Sequence, residues 1–255
     1  MISIVMSHYN RLALLKFTLK TISQSSTKDF EIVIVDDFSN EENSITNLPN
    51  EFPNLKFQIV EMKNVVSTKY YCNPCVPYNV GLRASRGDKI IIQNPECCHM
   101  GDVISYVDKF LTDDQYFAFH CFGCDRNDLK LLHNGLPVNL DREGPSKARW
   151  YNHKTHRPVA YHFTSAITRK NLIDLNGFDE RFATGLNYDD DELVQRIKHK
   201  NLSIEFIESP YVIHQYHGKS GKNPLSPEPT QDNFVLHSKV IEEKKVRAEN
   251  KENIK

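Results

Sequence analysis

The densest group of chemically useful side chains in this sequence is the run Asp189-Asp190-Asp191-Glu192. Adjacent carboxylates repel one another, so such a run is favoured only where a helix start, a metal ion or a proton transfer stabilises its charge. Residues 193–200 have helical apolar spacing and basic residues in the last turn, which predicts a helix that begins at the acids. A helix start and a proton-transfer site both remain open on this local pattern alone.

The pattern at the start of the chain favours the chemical interpretation. Two short β-type runs, 2–6 and 31–35, bracket a segment with helical apolar spacing at 12–22. The second run ends in Asp36 and Asp37, so two acids lie at the carboxyl end of a strand. Strand, helix, strand and terminal acids in this order are typical of a nucleotide-binding α/β unit.

Strand and helix patterns alternate through the first half of the chain. The sequence predicts strands at 2–6, 31–35, 55–60, 88–93, 115–122, 203–207 and 211–214, and helices at about 11–24, 77–85, 101–112, 168–175 and 190–200. This alternation predicts an α/β fold with a mostly parallel central sheet flanked by helices. Residues 125–158 are rich in Gly, Pro, Asn and His, which predicts a lid or substrate loop. Residues 218–255 are predicted to form a loose C-terminal extension.

Composition limits the partners that the chain can bind. The 255 residues are 39% hydrophobic and 25% charged, which is enough for the core of one α/β domain. A formal net charge of -1 argues against a broad basic field for nucleic acid or an anionic membrane, and favours a small polar substrate. No stretch approaches the ~18 apolar residues of a membrane span, and the N-terminal apolar run is too short for a signal peptide. We therefore expect a soluble, cytoplasmic protein, unless the sequence is a fragment of a longer one.

Six cysteines include two C-x-x-C pairs, Cys72/Cys75 and Cys121/Cys124, which is the ligand pattern of a zinc site. The 45 residues between the pairs (76 to 120) exceed the ~15–20 residues of a zinc ribbon. We expect free reduced thiols, and a zinc-stabilised interaction domain is the weaker alternative.

Several motifs occur in order along residues 1–217. They are Ile2-Ser3-Ile4-Val5-Met6-Ser7-His8-Tyr9-Asn10-Arg11, Asp36-Asp37-Phe38-Ser39, Asn79-x-Gly81 with Gly87-Asp88, and Asn176-Gly177-Phe178-Asp179-Glu180-Arg181 with Asp189-Asp190-Asp191-Glu192. Their combination resembles glycosyltransferase family 2, the inverting family with the GT-A fold. The resemblance implies a single GT-A domain over 1–217, with a nucleotide-sugar half at 1–122 and an acceptor half at 123–217.

The resemblance also implies which residues bind the donor, expected to be a UDP-sugar. They are Ser7, Tyr9, Asp36, Asp37, Asn79, Arg83 and Asn94. A carboxylate such as that of Asp37 can accept the imide N–H of uracil, although Asp-Asp before Phe-Ser is also ordinary strand-exit chemistry. Arg83 would offset diphosphate charge, and Asn94 would bind a ribose hydroxyl.

By the same resemblance the acidic run supplies the catalytic base. Inverting transfer needs a group that takes the proton of the acceptor hydroxyl as that oxygen attacks the anomeric carbon. Asp190 matches the base, Asp189 is suited to hold an acceptor hydroxyl, and Asp191 is the second candidate for the base. Clustered like charges raise the proton affinity of a carboxylate, which suits this role.

A divalent metal, Mn²⁺ or Mg²⁺, is expected where the family carries Asp-x-Asp. This sequence has Asn94-Pro95-Glu96 there, so Glu96 is the remaining acid, and His217 or His214 could complete the site. His99 beside Cys97 and Cys98 could form a softer site, although no other local spacing supports one.

Two functions of different class follow. The first is an inverting transferase that moves a sugar to a hydroxyl of a glycan or other acceptor. The second is a catalytically silent module that binds a nucleotide sugar or a glycan. The acidic run favours the first, because a binding module does not need a base. Trp150 could stack on an acceptor sugar or be partly buried structure.

Overall fold

The computed structural model describes residues 1–140, 149–218 and 229–255. Nine strands lie in these residues: β1 (Ile2–His8), β2 (Phe30–Asp36), β3 (Phe57–Glu61), β4 (Lys89–Gln93), β5 (Cys97–Met100), β6 (Gln115–Gly123), β7 (Trp150–Asn152), β8 (Thr164–Thr168) and β9 (Ser203–His214). The α-helices are α1 (Leu12–Ile22), α2 (Leu48–Glu51), α3 (Cys75–Ala84), α4 (Val103–Phe110), α5 (Arg126–His133), α6 (Arg169–Leu175), α7 (Asp189–His199) and α8 (Pro229–Glu243). None of these helices is both long enough and apolar enough to cross a membrane.

One sheet joins all nine strands in the order β3-β2-β1-β4-β8-β6-β9-β5, with β7 paired to β6. The β1–β2, β2–β3 and β1–β4 pairs are parallel, as expected for strands linked by helices. The strands of the second half form the antiparallel pairs β4–β8, β5–β9, β6–β7 and β6–β8. The pair β6–β9 is parallel. The α/β class and flanking helices are as predicted, and the antiparallel pairings come from the second half of the chain.

Two apolar layers cover the faces of the sheet. Alternate residues of β1 enter opposite layers, with Ile4 in one and Val5 in the other. Because both faces are covered, β1, β2 and β4 are nearly continuous apolar runs, which is why their sequence signal is strong. Gly81 lets α3 approach this sheet closely, since an added Cβ would lie 2.6 Å from Cγ1 of Val5.

Three strands lack a sequence signal. Cys97–Met100 is short and polar in part, Trp150–Asn152 has three residues, and Thr164–Thr168 reads Thr-Ser-Ala-Ile-Thr. The last of these is fully buried between β4 and β6, so its position is set by tertiary pairing and not by hydrophobic alternation. The segments 203–207 and 211–214, predicted as two strands, form the single strand β9.

The predicted loop at 125–158 and the predicted loose extension both contain regular structure. Asp125 and Asp128 form a capping box that starts α5, while residues 141–148 of that loop lie outside the described residues. In the C-terminal region, α8 packs on α7, and the amide of Ala248 donates to the carbonyl of Leu175 at 3.0 Å. The described residues 229–255 are therefore part of the packed domain, and the prediction of a loose extension is wrong for them.

Candidate active site

The three aspartates of the acidic run lie in the first turn of α7. Tyr188 precedes them with a φ of 68°, a left-handed conformation that turns the chain sharply into the helix. The fourth acid, Glu192, points elsewhere, because its oxygens accept from the buried guanidinium of Arg196 at 2.5 and 2.7 Å. Glu192 therefore has a structural role, and only the aspartates face the candidate site.

Asp189 and Asp191 each accept a hydrogen bond from a side chain in another part of the chain. Asp189 accepts from the side-chain amide of Asn73 at 2.9 Å, and Asp191 accepts from the hydroxyl of Tyr161 at 2.5 Å.

Asp190 is held through one of its two oxygens. Its Oδ1 accepts from the backbone N–H of His162 at 3.2 Å and contacts Nδ1 of the same imidazole. The described residues give Oδ2 of Asp190 no hydrogen bond, so this oxygen can accept one from a substrate.

Burial and charge shift the proton affinities of this group. Burial, together with the adjacent charge of Asp190, raises the pKa of Asp189 to about 6. Burial of His162 opposes its protonation, but the charges of Asp190 and Asp189 outweigh this and raise the pKa of the imidazole. The site therefore combines a carboxylate that titrates close to neutral pH with an acid–imidazole pair, which are the properties of a proton-transfer centre.

A cavity of about 410 Å³ opens in front of these aspartates. Its walls are formed by Asn73, Pro74, Asn94, Arg157, Tyr161, His162, Phe163, Leu186, Asn187, Tyr188 and the three aspartates. Asn94, which follows β4, accepts from the hydroxyl of Tyr78 at 2.9 Å and is one of the predicted donor-binding residues. The volume is that of a small-ligand site.

A second charged cluster surrounds Glu96, two residues beyond Asn94. The carboxylate is 1% exposed, and its Oε1 lies 2.5 Å from Nη1 of Arg11, 3.1 Å from Nε2 of His214 and 3.3 Å from Nε2 of His217. Burial opposes ionisation of Glu96, but the hydrogen bonds from the imidazoles and the charge of Arg11 lower its pKa far below the usual range. Glu96 is therefore a permanently charged carboxylate at neutral pH.

The cluster has the donor set of a divalent-cation site. The ligand atoms of Glu96, His214 and His217 all lie within 4.8 Å of one another. Oε2 of Glu96 is buried without a described hydrogen-bond partner, as a vacant ligand position would be. One carboxylate and two imidazoles are ligand types that bind divalent metal ions. The group His162, Asp189 and Asp190 meets the same distance criterion, but Nδ1 of His162 is already engaged by Asp190.

A cavity of about 430 Å³ lies next to Glu96. It is lined by Tyr9, Asn10, Arg11, Leu12, Ala13, Leu14, Asn43, His217 and Gly218. The carboxyl ends of β1 and β2 carry buried acceptors without a described partner, Nδ1 of His8 and Oδ1 of Asp36. Acceptors of this kind would be satisfied by hydroxyl or N–H donors of a ligand.

Comparison with known families assigns the chain to one of them. A model described as Glycosyl transferase family 2 matches residues 3–175. The chain belongs to this family. A second model, described as the N-terminal domain of galactosyltransferase, matches residues 153–218 of the family 2 chain. A search of curated proteins found no match.

Solved structures share the fold of this family 2 chain. TarS of S. aureus aligns with a TM-score of 0.63 and 15% identity, over 98% of this chain and 66% of that one. GalNAc-T7 with UDP, GalNAc and Mn²⁺ aligns with a TM-score of 0.66 and 18% identity, over 94% and 48%. A mannosyltransferase of Pyrobaculum calidifontis with GDP-Man and Mn²⁺ aligns with a TM-score of 0.55 and 17% identity, over 86% and 58%. The chain thus spans no more than about two thirds of these structures, and identities this low establish the GT-A fold alone.

The predicted donor-binding residues of this family 2 chain are only partly free. The carboxylate of Asp37 accepts from Nζ of Lys69 at 2.7 Å and from the hydroxyl of Tyr71 at 2.6 Å, and burial raises its pKa. A nucleotide base would share this carboxylate with both. Tyr9 is exposed at the mouth of the 430 Å³ cavity, and Ser7 is half-buried on β1.

Asn79 and Arg83 have contacts that differ from the predicted donor role. The side chain of Asn79 is 0% exposed, and its amide pairs with the backbone of Phe178, donating at 2.9 Å and accepting at 2.8 Å. Arg83 lies 3.4 Å from Glu180. These family 2 motif residues join α3 to the segment before α7, and the described hydrogen bonds of Asn79 are made within the protein.

The cysteines and His99 do not assemble a metal site among the described residues. Cys75 belongs to one apolar layer and Cys121 to the other, so the two C-x-x-C pairs do not meet. His99 Nε2 lies 2.8 Å from Oε1 of Gln93, and burial lowers the pKa of this histidine to about 4. Trp150 is half-buried, with its ring edge-on to Phe122 at 5.1 Å.

Four further residues of the site were not singled out from sequence. Asn73 and Tyr161 bond to the acids only through long-range contacts, Arg157 lines the same cavity, and Arg11 reaches Glu96 across 85 residues. No sequence signal linked His162 to Asp190. Arg11 alone carried a usable signal, since it ends the first family 2 motif.

Proposed function

We propose that this chain is an inverting glycosyltransferase that transfers a sugar from a UDP-sugar to a hydroxyl group of a glycan or other acceptor. The observation that carries the proposal is the pairing of two unlike carboxylate sites at one edge of the sheet. One is a permanently charged Glu96 between two imidazoles. The other is the group of aspartates beside a cavity of small-ligand size, in which burial and the charge of Asp190 raise the pKa of Asp189 to about 6.

Asp190 is the proposed base. The contacts from His162 reach only Oδ1, which fixes the carboxylate and leaves Oδ2 for the proton of an acceptor hydroxyl. The deprotonated hydroxyl oxygen then forms a bond to the anomeric carbon as the bond from that carbon to the diphosphate oxygen breaks on the opposite face. Asp189, held by Asn73, orients the acceptor, and Asp191 is tied to Tyr161 and is the less suited base.

The donor is proposed to lie over the carboxyl ends of β1, β2 and β4. Tyr9 and the acids Asp36 and Asp37 would face the nucleoside, while Glu96, His214 and His217 would hold a divalent ion, with Mn²⁺ the better match to their ligand types. Such an ion supplies charge neutralisation for the diphosphate when bound. Arg11 lies beside the same carboxylate and can add a fixed positive charge there.

Calorimetric titration of UDP and of GDP, each with Mn²⁺ and with EDTA, tests the donor site. We expect UDP to bind more tightly than GDP, and its affinity to depend on Mn²⁺. Hydrolysis of a panel of UDP-sugars then tests for turnover. Nucleotide binding without turnover of any donor, with or without metal, would support a catalytically silent binding module. Absence of nucleotide binding would overturn the proposed donor site.

A further inference from the structure

Arg157 lies on the wall of the cavity that contains the aspartates. It closes the short turn after β7, where the backbones of His153 and Arg157 exchange hydrogen bonds of 2.9 and 3.0 Å. Its guanidinium carbon lies 6.0 Å from the ring centre of Tyr151 and 5.9 Å from that of Tyr161. Aromatic rings restrain a guanidinium without neutralising its charge.

No carboxylate of the described residues forms an ion pair with Arg157. The nearby aspartates have other partners: Asp189 accepts from Asn73, Asp190 from His162 and Asp191 from Tyr161.

Other half-buried or buried arginines contrast with it. Arg149 pairs with Asp125 and Asp128, and Arg196 pairs with Glu192. Arg157 is therefore a restrained cation whose N–H donors have no described acceptor, on the wall of a cavity large enough for a ligand.

The location separates Arg157 from the proposed donor site. Arg11 and His217 line the other cavity, next to Glu96, whereas Arg157 shares its cavity with the proposed base, with residues 186–188 and with Asn94, where donor and acceptor would meet. A ligand group at Arg157 would thus belong to the molecule that approaches Asp190. The aspartates would repel an anionic acceptor. A fixed cation on the wall of the same cavity would offset this repulsion.

We propose that Arg157 recognises an anionic group, a carboxylate or a phosphate ester, on the acceptor sugar. The planar guanidinium can donate two parallel hydrogen bonds to either group, which a lysine cannot. This inference rests on the proposed function, since it assigns the substrate class of the acceptor side. It makes Arg157 a specificity residue and leaves proton transfer to Asp190.

Ligand-observed NMR titration tests this assignment, because it detects the millimolar affinities expected of single sugars. The probes are methyl β-glucuronide, glucose 6-phosphate and the neutral methyl β-glucoside, each titrated in the presence of UDP and Mg²⁺, which is diamagnetic and does not broaden the NMR signals of the probes. The proteins are the unsubstituted chain, Arg157→Gln and Arg126→Gln. Arg126 is a matched control because its guanidinium also lies over a tyrosine, 5.5 Å from the ring centre of Tyr216, and does not line the cavity.

We expect at least one anionic probe to bind about tenfold or more tightly than the neutral sugar. Arg157→Gln should remove this preference and Arg126→Gln should keep it, with UDP affinity unchanged in both. Whichever of the two anionic probes binds distinguishes a carboxylate from a phosphate ester. Arg157→Lys should retain part of the preference, which would separate loss of charge from loss of folding.

Three results would overturn the inference. The first is that the three sugars bind equally or that none of them binds. The second is that Arg157→Gln still prefers the anionic sugars. The third is that a fall in UDP affinity is the only effect of Arg157→Gln. The last would move Arg157 to the donor diphosphate. Failure of UDP to bind the unsubstituted chain would instead count against the proposed function, so the two failures are distinguishable.

Discussion

Glu96 and Asp189 are two similarly buried carboxylates of the same site region whose pKa values shift in opposite directions. Their exposures are 1% and 6%, so desolvation penalises the charge of both. The pKa of Glu96 is nevertheless far below its usual range, whereas that of Asp189 is raised to about 6. The difference lies in the partners: Glu96 has a guanidinium and two imidazoles, and Asp189 has a neutral amide and a neighbouring carboxylate.

This contrast divides the chemistry between the two clusters. A carboxylate with cationic partners keeps its charge at any physiological pH, which suits a residue that holds positive charge near a diphosphate. A carboxylate with a like-charged neighbour changes its protonation near neutral pH, which suits a region where protons move. Two carboxylates with similar burial can therefore suit different functions, and the charged and polar groups around each carboxylate determine which function it suits.

Removal of the proposed base should have the largest effect, and this effect should be on the rate of sugar transfer. Asp190→Asn keeps the shape of the side chain but cannot take a proton, so we expect the transfer rate to fall by about 100- to 10,000-fold. UDP affinity, measured by calorimetry, should stay unchanged because the substitution is on the acceptor side. Asp174→Asn is the control, since this exposed acid pairs with Lys200 away from both cavities. Lost UDP binding would make Asp190 a donor ligand or a structural residue.

Neutralising Glu96 should weaken the metal-dependent binding of UDP. In Glu96→Gln the carbonyl oxygen remains but the negative charge between Arg11, His214 and His217 is lost. We expect UDP affinity in Mn²⁺ to fall at least about tenfold, a change of ~1.4 kcal/mol, with little further loss in EDTA. Glu51→Gln, at a surface pair with Lys16, should leave binding unchanged. An unaltered response to Mn²⁺ would remove Glu96 from the metal site.

The raised pKa of Asp189 predicts a pH-dependent effect on the free energy of unfolding, with a definite sign. Between about pH 4 and pH 6 the folded state retains a proton that the unfolded state has released, so this group destabilises the fold as the pH rises. The shift from 3.8 to about 6 corresponds to about 2–3 kcal/mol.

Urea unfolding of the unsubstituted chain and of Asp189→Asn, at about pH 4.5 and about pH 7.5, measures this effect below and above the raised pKa. The variant should gain stability relative to the unsubstituted chain as the pH rises. A difference between the two proteins that does not change with pH would show that Asp189 titrates normally.

The smallest effect is expected at Asn233 of α8, which donates to the carbonyls of Phe182 and Asn187 just before the acidic run. Asn233→Ala leaves both carbonyls without this donor, and we expect a loss of about 1–2 kcal/mol in the free energy of unfolding and a several-fold lower kcat. Gln231→Ala, on the exposed side of the same helix, is the control. Equal effects of both substitutions would mean that α8 does not position the aspartates.

Local signals predicted the elements that carry the chemistry. The apolar runs of β1, β2 and β4 are continuous because both faces of the sheet are covered, and the acids mark the start of α7 as predicted. Glu96, His214 and His217 were proposed together from sequence, and the structure brings them within one ligand sphere.

The partners of the aspartates could not be predicted in the same way. Asn73 lies 116 residues from Asp189 in sequence, and Tyr161 lies 30 residues from Asp191. Nothing in the spacing of such residues specifies which of them meet, because the contacts depend on how the segments before α3 and β8 fold against the start of α7. The burial of Asn79 was missed for the same reason, since its partner Phe178 lies 99 residues away.

The docking of the C-terminal residues has a practical consequence for handling the protein. Ile254 is 2% exposed, its amide donates to the side chain of Asn176 at 2.9 Å, and Asn250 donates to the carbonyl of the same residue at 2.8 Å. A shortened gene that stops after residue 217 would uncover the layer beneath these contacts and loosen the approach to α7. A fragment designed for crystallisation or activity assays should therefore retain the residues through Ile254.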